Sequence, residues 1–396
     1  MINCFIPFLS LPQARQTVRA LGLCDRIKNI YLLATEKIPD EVEGCEMLMI
    51  DSPASTATFR TIALHADTAY TLLYTKYTAF EPGQFAFERL LAIAGDTNAG
   101  MLYADRYLLK NGNSQQAPVI DYQKGSLRDD FDFGSLLFFR SSVLKQAVRA
   151  MDADYRFAGL YDLRLRVSEL AELVHVNEYL YSEVETDIRK SGEKLFDYVD
   201  PKNRAVQIEM EAVCTAYLKR VGGYLAPDFE PVTFDAGGFE QEASVIIPVR
   251  NRIRTIEDAI RSVLAQKTTF RFNLIIVDNH STDGTSEAIE KYTADGRVVH
   301  LVPERSDLGI GGCWNVGVHH PACGKFAVQL DSDDVYSGPD TLQKIVDAFY
   351  EQNCAMVVGT YRMTDFKMNE IPPGIIDHRE WTLENGRNNA LRINGL

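Results

Sequence analysis

One pattern runs twice through this chain, in the same order each time, and such a repeat constrains the fold more than any single motif. Near the start come Cys4-Phe5-Ile6-Pro7-Phe8-Leu9-Ser10, an amphipathic stretch from Ala14 to Leu21, and the apolar run Asn29-Ile30-Tyr31-Leu32-Leu33. Much later come Val245-Ile246-Ile247-Pro248-Val249-Arg250-Asn251, an amphipathic stretch from Ile256 to Leu264, and Asn273-Leu274-Ile275-Ile276-Val277. The echo continues. Thr71 to Tyr74 and Phe326 to Leu330 are each followed by a Pro-bearing loop, then by a helical pattern (Phe85 to Ala94; Thr341 to Tyr350) and a further apolar run (Gly100 to Tyr103; Ala355 to Val358). The predicted strands of the second copy, Ala243–Val249, Phe272–Val277, Val298–Val302, Phe326–Leu330 and Ala355–Val358, are near-continuous apolar runs separated by helices. Strands buried on both faces look like this, so two mostly parallel α/β sheets follow.

Between the copies, Pro201 to Val221 reads as a helix, with Lys219 and Arg220 in its last turn and Gly222-Gly223 after it. The domains expected are therefore 1-190, a helical linker over 191-240, and 241-396. A chain of 396 residues is long enough for two such cores. Its net charge of −14, from 41 Lys+Arg against 55 Asp+Glu, argues against a nucleic-acid binder, which would need a basic face. No apolar run approaches the roughly 18 residues of a membrane span, which leaves only peripheral membrane contact open. The first residues carry no basic n-region of a signal peptide. The seven cysteines are scattered without a C-x-x-C, which argues against a cysteine-rich zinc site and predicts reduced thiols in a cytoplasm.

In a parallel sheet, ligands bind beyond the carboxyl ends of the strands. The second copy has Pro248-Val249-Arg250-Asn251 there after its first strand, Asp278-Asn279-His280-Ser281-Thr282-Asp283-Gly284 after its second, and Asp331-Ser332-Asp333-Asp334 after its fourth. Three carboxylates in four residues repel one another unless a cation joins them, and carboxylate oxygens suit Mg²⁺ or Mn²⁺, whose other positions go to water and phosphates. The alternative is a solvated acidic turn. Asp278, at the end of a nearby strand, favours the metal and phosphate reading. Gly309-Ile310-Gly311-Gly312 begins like a dinucleotide fingerprint, but Trp314 stands where the third glycine belongs.

The segments Ser244 to Pro248, Ile276 to Thr285, Gly309 to Asn315 and Leu330 to Asp334 resemble glycosyltransferase family 2, in family order and at family spacing across residues 243 to about 365. The first copy resembles the same fold more faintly. The resemblance implies two tandem GT-A-like (Rossmann-like) domains, a nucleoside-diphosphate sugar donor of which a UDP-sugar is the expected form, a glycan or glycolipid acceptor, and an inverting, metal-dependent transfer. It implies that Pro248, Val249, Arg250, Asn251 and Asp278 hold the base and ribose. Asp331 and Asp333 fill the family's D-x-D, with Asp333, Asp331 and Asp334 the candidate ligands of Mn²⁺ or Mg²⁺. The chain departs from the family at Cys313-Trp314-Asn315, where many members have Arg before the Asn. The family's catalytic base is usually an acidic pair well after the D-x-D, so the base is expected beyond Leu396. Asp162 is the base-like position of the first copy. That copy is degenerate, with Thr75-Lys76-Tyr77-Thr78 in place of the acidic run, and Lys76 would repel a divalent ion; acceptor binding or assembly is its expected role. Asp105 beside Arg106 is expected as a surface ion pair. A nucleotidyltransferase is the rival enzyme class, but it would need a Gly-rich loop after the first strand, and Val249-Arg250-Asn251-Arg252-Ile253 has no glycine. A non-catalytic nucleotide- or glycan-binding module is the third reading.

Overall fold

A computed structural model describes residues 1–37, 40–110, 113–184, 204–226, 228, 230, 232–234 and 237–377. The chain divides into two compact units, Phe229–Gly359 forming one, and Met1–Asp228 with the described residues from Thr360 onward the other. Residues 191–203 of the expected linker lie outside the described residues.

The first unit runs β1 (Ile2–Pro7), α1 (Leu11–Gly22), β2 (Ile27–Ala34), β3 (Glu46–Met49), α2 (Thr56–His65), β4 (Tyr70–Tyr74), β5 (Phe80–Pro82), α3 (Ala86–Thr97), β6 (Met101–Lys110), β7 (Asn113–Ala117), β8 (Leu136–Arg140), α4 (Ser141–Arg149), α5 (Gly159–Leu170), β9 (Leu173–Val184) and α6 (Arg204–Arg220). Ser10 caps α1 by accepting from the Gln13 amide, and Ser55 caps α2 through the Thr58 amide. The sheet order is β3-β2-β1-β4-β8-β6-β9-β5, with β7 paired to β6. The first four strands are parallel, and β8 then runs antiparallel to both β4 and β6. Alternation puts Cys4 and Ile6 in the core on one face and Phe5 in the core on the other, which is why β1 is apolar throughout. The helix α6 packs Val213, Cys214 and Tyr217 against Tyr161 and Leu165 of α5, so it is built into this unit.

The second unit runs β10 (Ala243–Val249), α7 (Ile256–Leu264), β11 (Phe272–Asp278), α8 (Thr285–Glu290), β12 (Val298–Leu301), α9 (Gly309–Val318), β13 (Phe326–Gln329) and α10 (Thr341–Gln352). All four strands are parallel, in the order β12-β11-β10-β13, which repeats the β3-β2-β1-β4 order of the first unit. Val245 and Ile247 pack under α7 and α10, while Ile246 packs with Ile275, Val277 and Cys313 of α9 on the opposite face.

The expected strand Ala355–Val358 is not one: these residues form no ladder, and Met356 is 74% exposed. In the first unit the matching strand β6 joins its sheet through β8 and β9. Among the described residues the second unit has no counterpart of either, so a strand here would have no partner for its backbone groups. A hairpin of β14 (Tyr361–Thr364) and β15 (Glu370–Ile376) follows.

Candidate active site

The chain leaves β10 and turns to one side to make β11 and β12, then returns to lay β13 on the other side of β10. The order reverses between β10 and β13, and a crevice opens where the loops beyond their carboxyl ends diverge. A cleft of about 460 Å³ lies there, lined by Pro248, Val249, Arg250 and Arg252 after β10, Asn279 after β11, Gly309, Ile310 and Cys313 of α9, and Asp331, Ser332 and Asp333 after β13. Of the residues expected to bind a nucleotide sugar, the structure brings Pro248, Val249, Arg250, Asp331 and Asp333 to this cleft.

Asn251 and Asp278 do not line it, and both act behind it. Asn251 adopts φ +55°, uncommon for a residue other than glycine. Its amide donates to Ser281 Oγ at 3.0 Å and its Oδ1 accepts from the Thr282 amide at 2.8 Å. The next amides follow suit: Arg252 donates to Thr285 Oγ1 at 2.8 Å and Ile253 to Asp283 Oδ2 at 3.1 Å. The β10 loop is thus strapped to the 281–285 loop by four hydrogen bonds, each from a backbone amide to a side-chain oxygen.

Asp278 anchors that second loop. Its side chain is fully buried; Oδ1 accepts from the Ser281 amide at 2.9 Å, Oδ2 accepts from Ser286 Oγ, and His300 Nε2 lies 3.6 Å from Oδ2. Burial alone would push this carboxyl up, but hydrogen bonding with His300, Ser281 and Ser286 outweighs it and holds Asp278 well below the usual carboxylate range. The same contact, with Glu290 at 2.8 Å on the other ring nitrogen, raises His300 above its ordinary value against the cost of burial. The sequence suggests Asp278 as a ligand-binding group, but the residue beside it reaches the cleft. Asn279 is 6% exposed and its Oδ1 has no hydrogen-bond partner. Apart from its place at a strand end, nothing in the sequence distinguishes Asn279 from Asp278.

The acidic turn is built by β13, whose last pairing with β10 is Ile246 with Gln329, and by the Asp334 amide donating to the Asp331 carbonyl at 3.1 Å. Asp331 and Asp333 face the cleft; Asp334 does not line it. Loss of water around its carboxyl, and then repulsion from Asp331 and Asp333, pushes Asp334 up. Among the described residues, the three carboxylates do not converge closely enough to form a three-ligand cage. Two cleft-facing carboxylates are nevertheless a donor set that suits Mg²⁺ or Mn²⁺, which keep positions for water and phosphate oxygens. The residues present therefore fit a divalent ion through Asp331 and Asp333.

The first unit differs at the corresponding strand end. Lys76 Nζ lies 2.6 Å from Oε1 of Glu183, whose side chain is fully buried, and Arg106 Nε lies 3.0 Å from the same atom. A cationic side chain occupies the place of the acidic run. Asp162 is 1% exposed and accepts two bonds from Arg166 Nε at 2.9 and 3.1 Å, with Arg220 at 3.8 Å; burial pushes its carboxyl up despite these arginines. So enclosed, it has no open face toward an incoming hydroxyl. Asp105 is not a surface ion pair either. It is buried, accepting from the Val119 amide and bonded to His175 at 2.9 Å, while Arg106 turns to Glu183 and Asp132. The pairing of β6 with β9 shifts register on both sides of Asp105, and both residues are buried with separate partners. The base expected beyond Leu396 lies outside the described residues.

A parallel α/β unit with a polar cleft at its switch point, walled by arginines on one loop and carboxylates on the other, is an architecture of the GT-A kind. Residues 244–394 match the model of glycosyl transferase family 2. It is 33% identical over 120 residues to a putative teichuronic acid biosynthesis glycosyltransferase, TuaG, of Bacillus subtilis, which covers 30% of this chain and 46% of that protein. It is 38% identical over 97 residues to an uncharacterized glycosyltransferase of Rickettsia conorii, covering 24% of this chain and 15% of the relative. The chain thus spans less than half the length of these relatives. Among solved structures, S. aureus TarS 1-349 in complex with UDP-GlcNAc aligns over 56% of this chain and 73% of that one, at 8% identity and a TM-score of 0.38.

Proposed function

We propose that the second unit binds a nucleoside-diphosphate sugar, with a uridine nucleotide the favoured form, and that the protein transfers the sugar to a glycan or glycolipid acceptor with inversion. The observation that carries this reading is the meeting of Arg250, Asn279, Asp331 and Asp333 on one cleft at the switch point of the sheet. The pairing of roles is chemical. Pro248 and Val249 offer an apolar wall to a base, and the side-chain amide of Asn279, which lines the same cleft, is a polar group suited to a base edge such as the uracil imide. Asp331 and Asp333 would hold Mn²⁺ or Mg²⁺. A divalent ion there stabilises the charge that develops on a departing diphosphate. Arg250, which lines the cleft, and the start of α9, where Gly309 and Ile310 form the wall, favour the same negative charge. The strapped 251–253 backbone keeps these groups in place before ligand arrives, so little ordering cost falls on binding.

The first unit, with Lys76 neutralised internally by Glu183, takes no metal-bound diphosphate in this reading and serves acceptor binding or assembly. Among the described residues no helix is long and apolar enough to cross a membrane, so a lipid-linked acceptor would be met at the membrane surface.

The test is calorimetric titration with UDP, GDP and CDP, each in Mn²⁺ and in EDTA. Metal-dependent binding of UDP, with GDP and CDP weaker, is the expected result. Absence of binding by every nucleotide, or binding indifferent to EDTA, overturns the donor assignment.

A further inference from the structure

The cleft carries a cation of its own beside the carboxylates. Arg252 Nε lies 3.8 Å from Asp333 Oδ2, and both side chains are half exposed. The two ends of Arg252 are held very differently. Its amide is fixed to Thr285 Oγ1, and its carbonyl accepts from the Thr255 and Ile256 amides at the start of α7. Among the described residues, the Asp333 contact and a 3.3 Å bond to the neighbouring Asn251 carbonyl are the side chain's only polar contacts. An anchored backbone with a side chain free to swing is suited to exchanging partners within the cleft it lines.

From this geometry we infer that Arg252 is the internal counter-ion of the acidic turn. Its guanidinium offsets Asp333 until a divalent ion takes that carboxylate, and then turns to the diphosphate. This rests on the donor-site reading above and adds a coupling to it. A metal ion alone must displace a positive charge from its own ligand, whereas a metal ion arriving with diphosphate gives that charge a new anionic partner. Metal and nucleotide therefore bind cooperatively, and by linkage each raises the other's affinity by the same factor. No bond is made or broken in the exchange. Arg252 is a positioning and charge-balancing residue in this role, distinct from Arg250, which lines the same cleft and, among the described residues, has no carboxylate partner.

The experiment measures Mn²⁺ binding to the whole chain by the loss of the free-ion electron paramagnetic resonance signal, with and without UDP, in wild type, Arg252→Gln, Arg252→Lys and Arg250→Gln. Removing an exposed charge this close to a divalent site changes affinity by roughly three- to tenfold. Arg252→Gln should therefore bind Mn²⁺ alone roughly that much more tightly, bind UDP in saturating Mn²⁺ more weakly, and lose most of the cooperativity. Arg252→Lys keeps the charge and should stay near wild type for Mn²⁺ alone. Arg250→Gln should weaken UDP without changing Mn²⁺ alone. If wild type binds UDP with Mn²⁺ and Arg252→Gln leaves Mn²⁺ affinity unchanged or weaker, the counter-ion role is refuted and the donor site stands. If wild type shows no Mn²⁺-dependent UDP binding, the donor site and the counter-ion role fall together.

Discussion

Replacing Asp278 with Asn tests the frame on which the cleft is hung. The substitution keeps the shape but removes the charge and turns one oxygen into a donor. Three groups depend on that carboxylate: the Ser281 amide at 2.9 Å, the Ser286 hydroxyl, and His300 at 3.6 Å. Hydrogen bonds to a charged partner contribute about 1.5–3 kcal/mol each. One contact survives at neutral strength, one is reversed, and His300 loses the buried one of its two anions, so a loss of about 3 kcal/mol for this unit is expected. Unfolding should be followed in urea by the fluorescence of Trp314, which packs in the layer of Ile246, Ile275 and Val277, in a Trp381→Phe background. At a typical slope for a small domain, the midpoint falls by about 1–2 M.

The pH profile makes the test sharper. His300 has a raised value in the folded state, so its contribution is fully present below its unfolded value of about 6.5 and is lost as pH rises through the folded one. Asp278 is held low, so its contribution is present above its unfolded value of about 3.9 and disappears only in acid. Wild type should therefore lose stability as pH climbs above about 6.5, and Asp278→Asn should flatten that slope, leaving the part due to Glu290. A midpoint within 0.3 M of wild type, with an unchanged slope above neutrality, would refute the view that Asp278 is an anchor rather than a ligand.

Three further outcomes follow from other contacts. Asp333→Ala should abolish metal-dependent nucleotide binding while leaving the circular dichroism spectrum and urea midpoint unchanged, because the side chain is half exposed; unaltered UDP affinity in Mn²⁺ would remove Asp333 from the site. Gly317→Ala puts a Cβ 2.6 Å from Ile246 Cγ2 where α9 crosses β10, and overpacking of this kind should cost about 1–3 kcal/mol by urea unfolding despite the better helix propensity of Ala. In the first unit, Glu183→Gln leaves Lys76 and Arg106 without their shared buried anion; a loss of about 3–5 kcal/mol should appear in thermal unfolding, whereas Lys76→Met with Glu183→Gln should recover part of it.

Much of this was legible from residue order. The repeated strand, Pro-loop and helix unit gave both parallel four-strand cores, because an apolar run between two amphipathic helices has few ways to bury both its faces. The acidic run and Pro248-Val249-Arg250 could be placed on one cleft for the same reason, since loops at the carboxyl ends of parallel strands share one edge. Ala355–Val358 was misread as a strand because its composition suits one, and composition says nothing about whether a partner strand is at hand.

Sequence by itself thus determined the repeated α/β architecture and the edge of the sheet where its polar loops gather, both of which follow from local periodicity and strand direction. Only the tertiary structure decided which polar groups are spent on the scaffold and which are left for a ligand. Asp278 and Asp162 look reactive in sequence, yet both are buried and bonded to their own surroundings. Asn279 is inconspicuous in sequence yet lines the cleft. The reason is physical: a buried charge persists only where hydrogen bonds and charged groups around it, among them residues distant in the chain such as His300 and Arg220, compensate its lost water, and those partners meet only when the fold is complete.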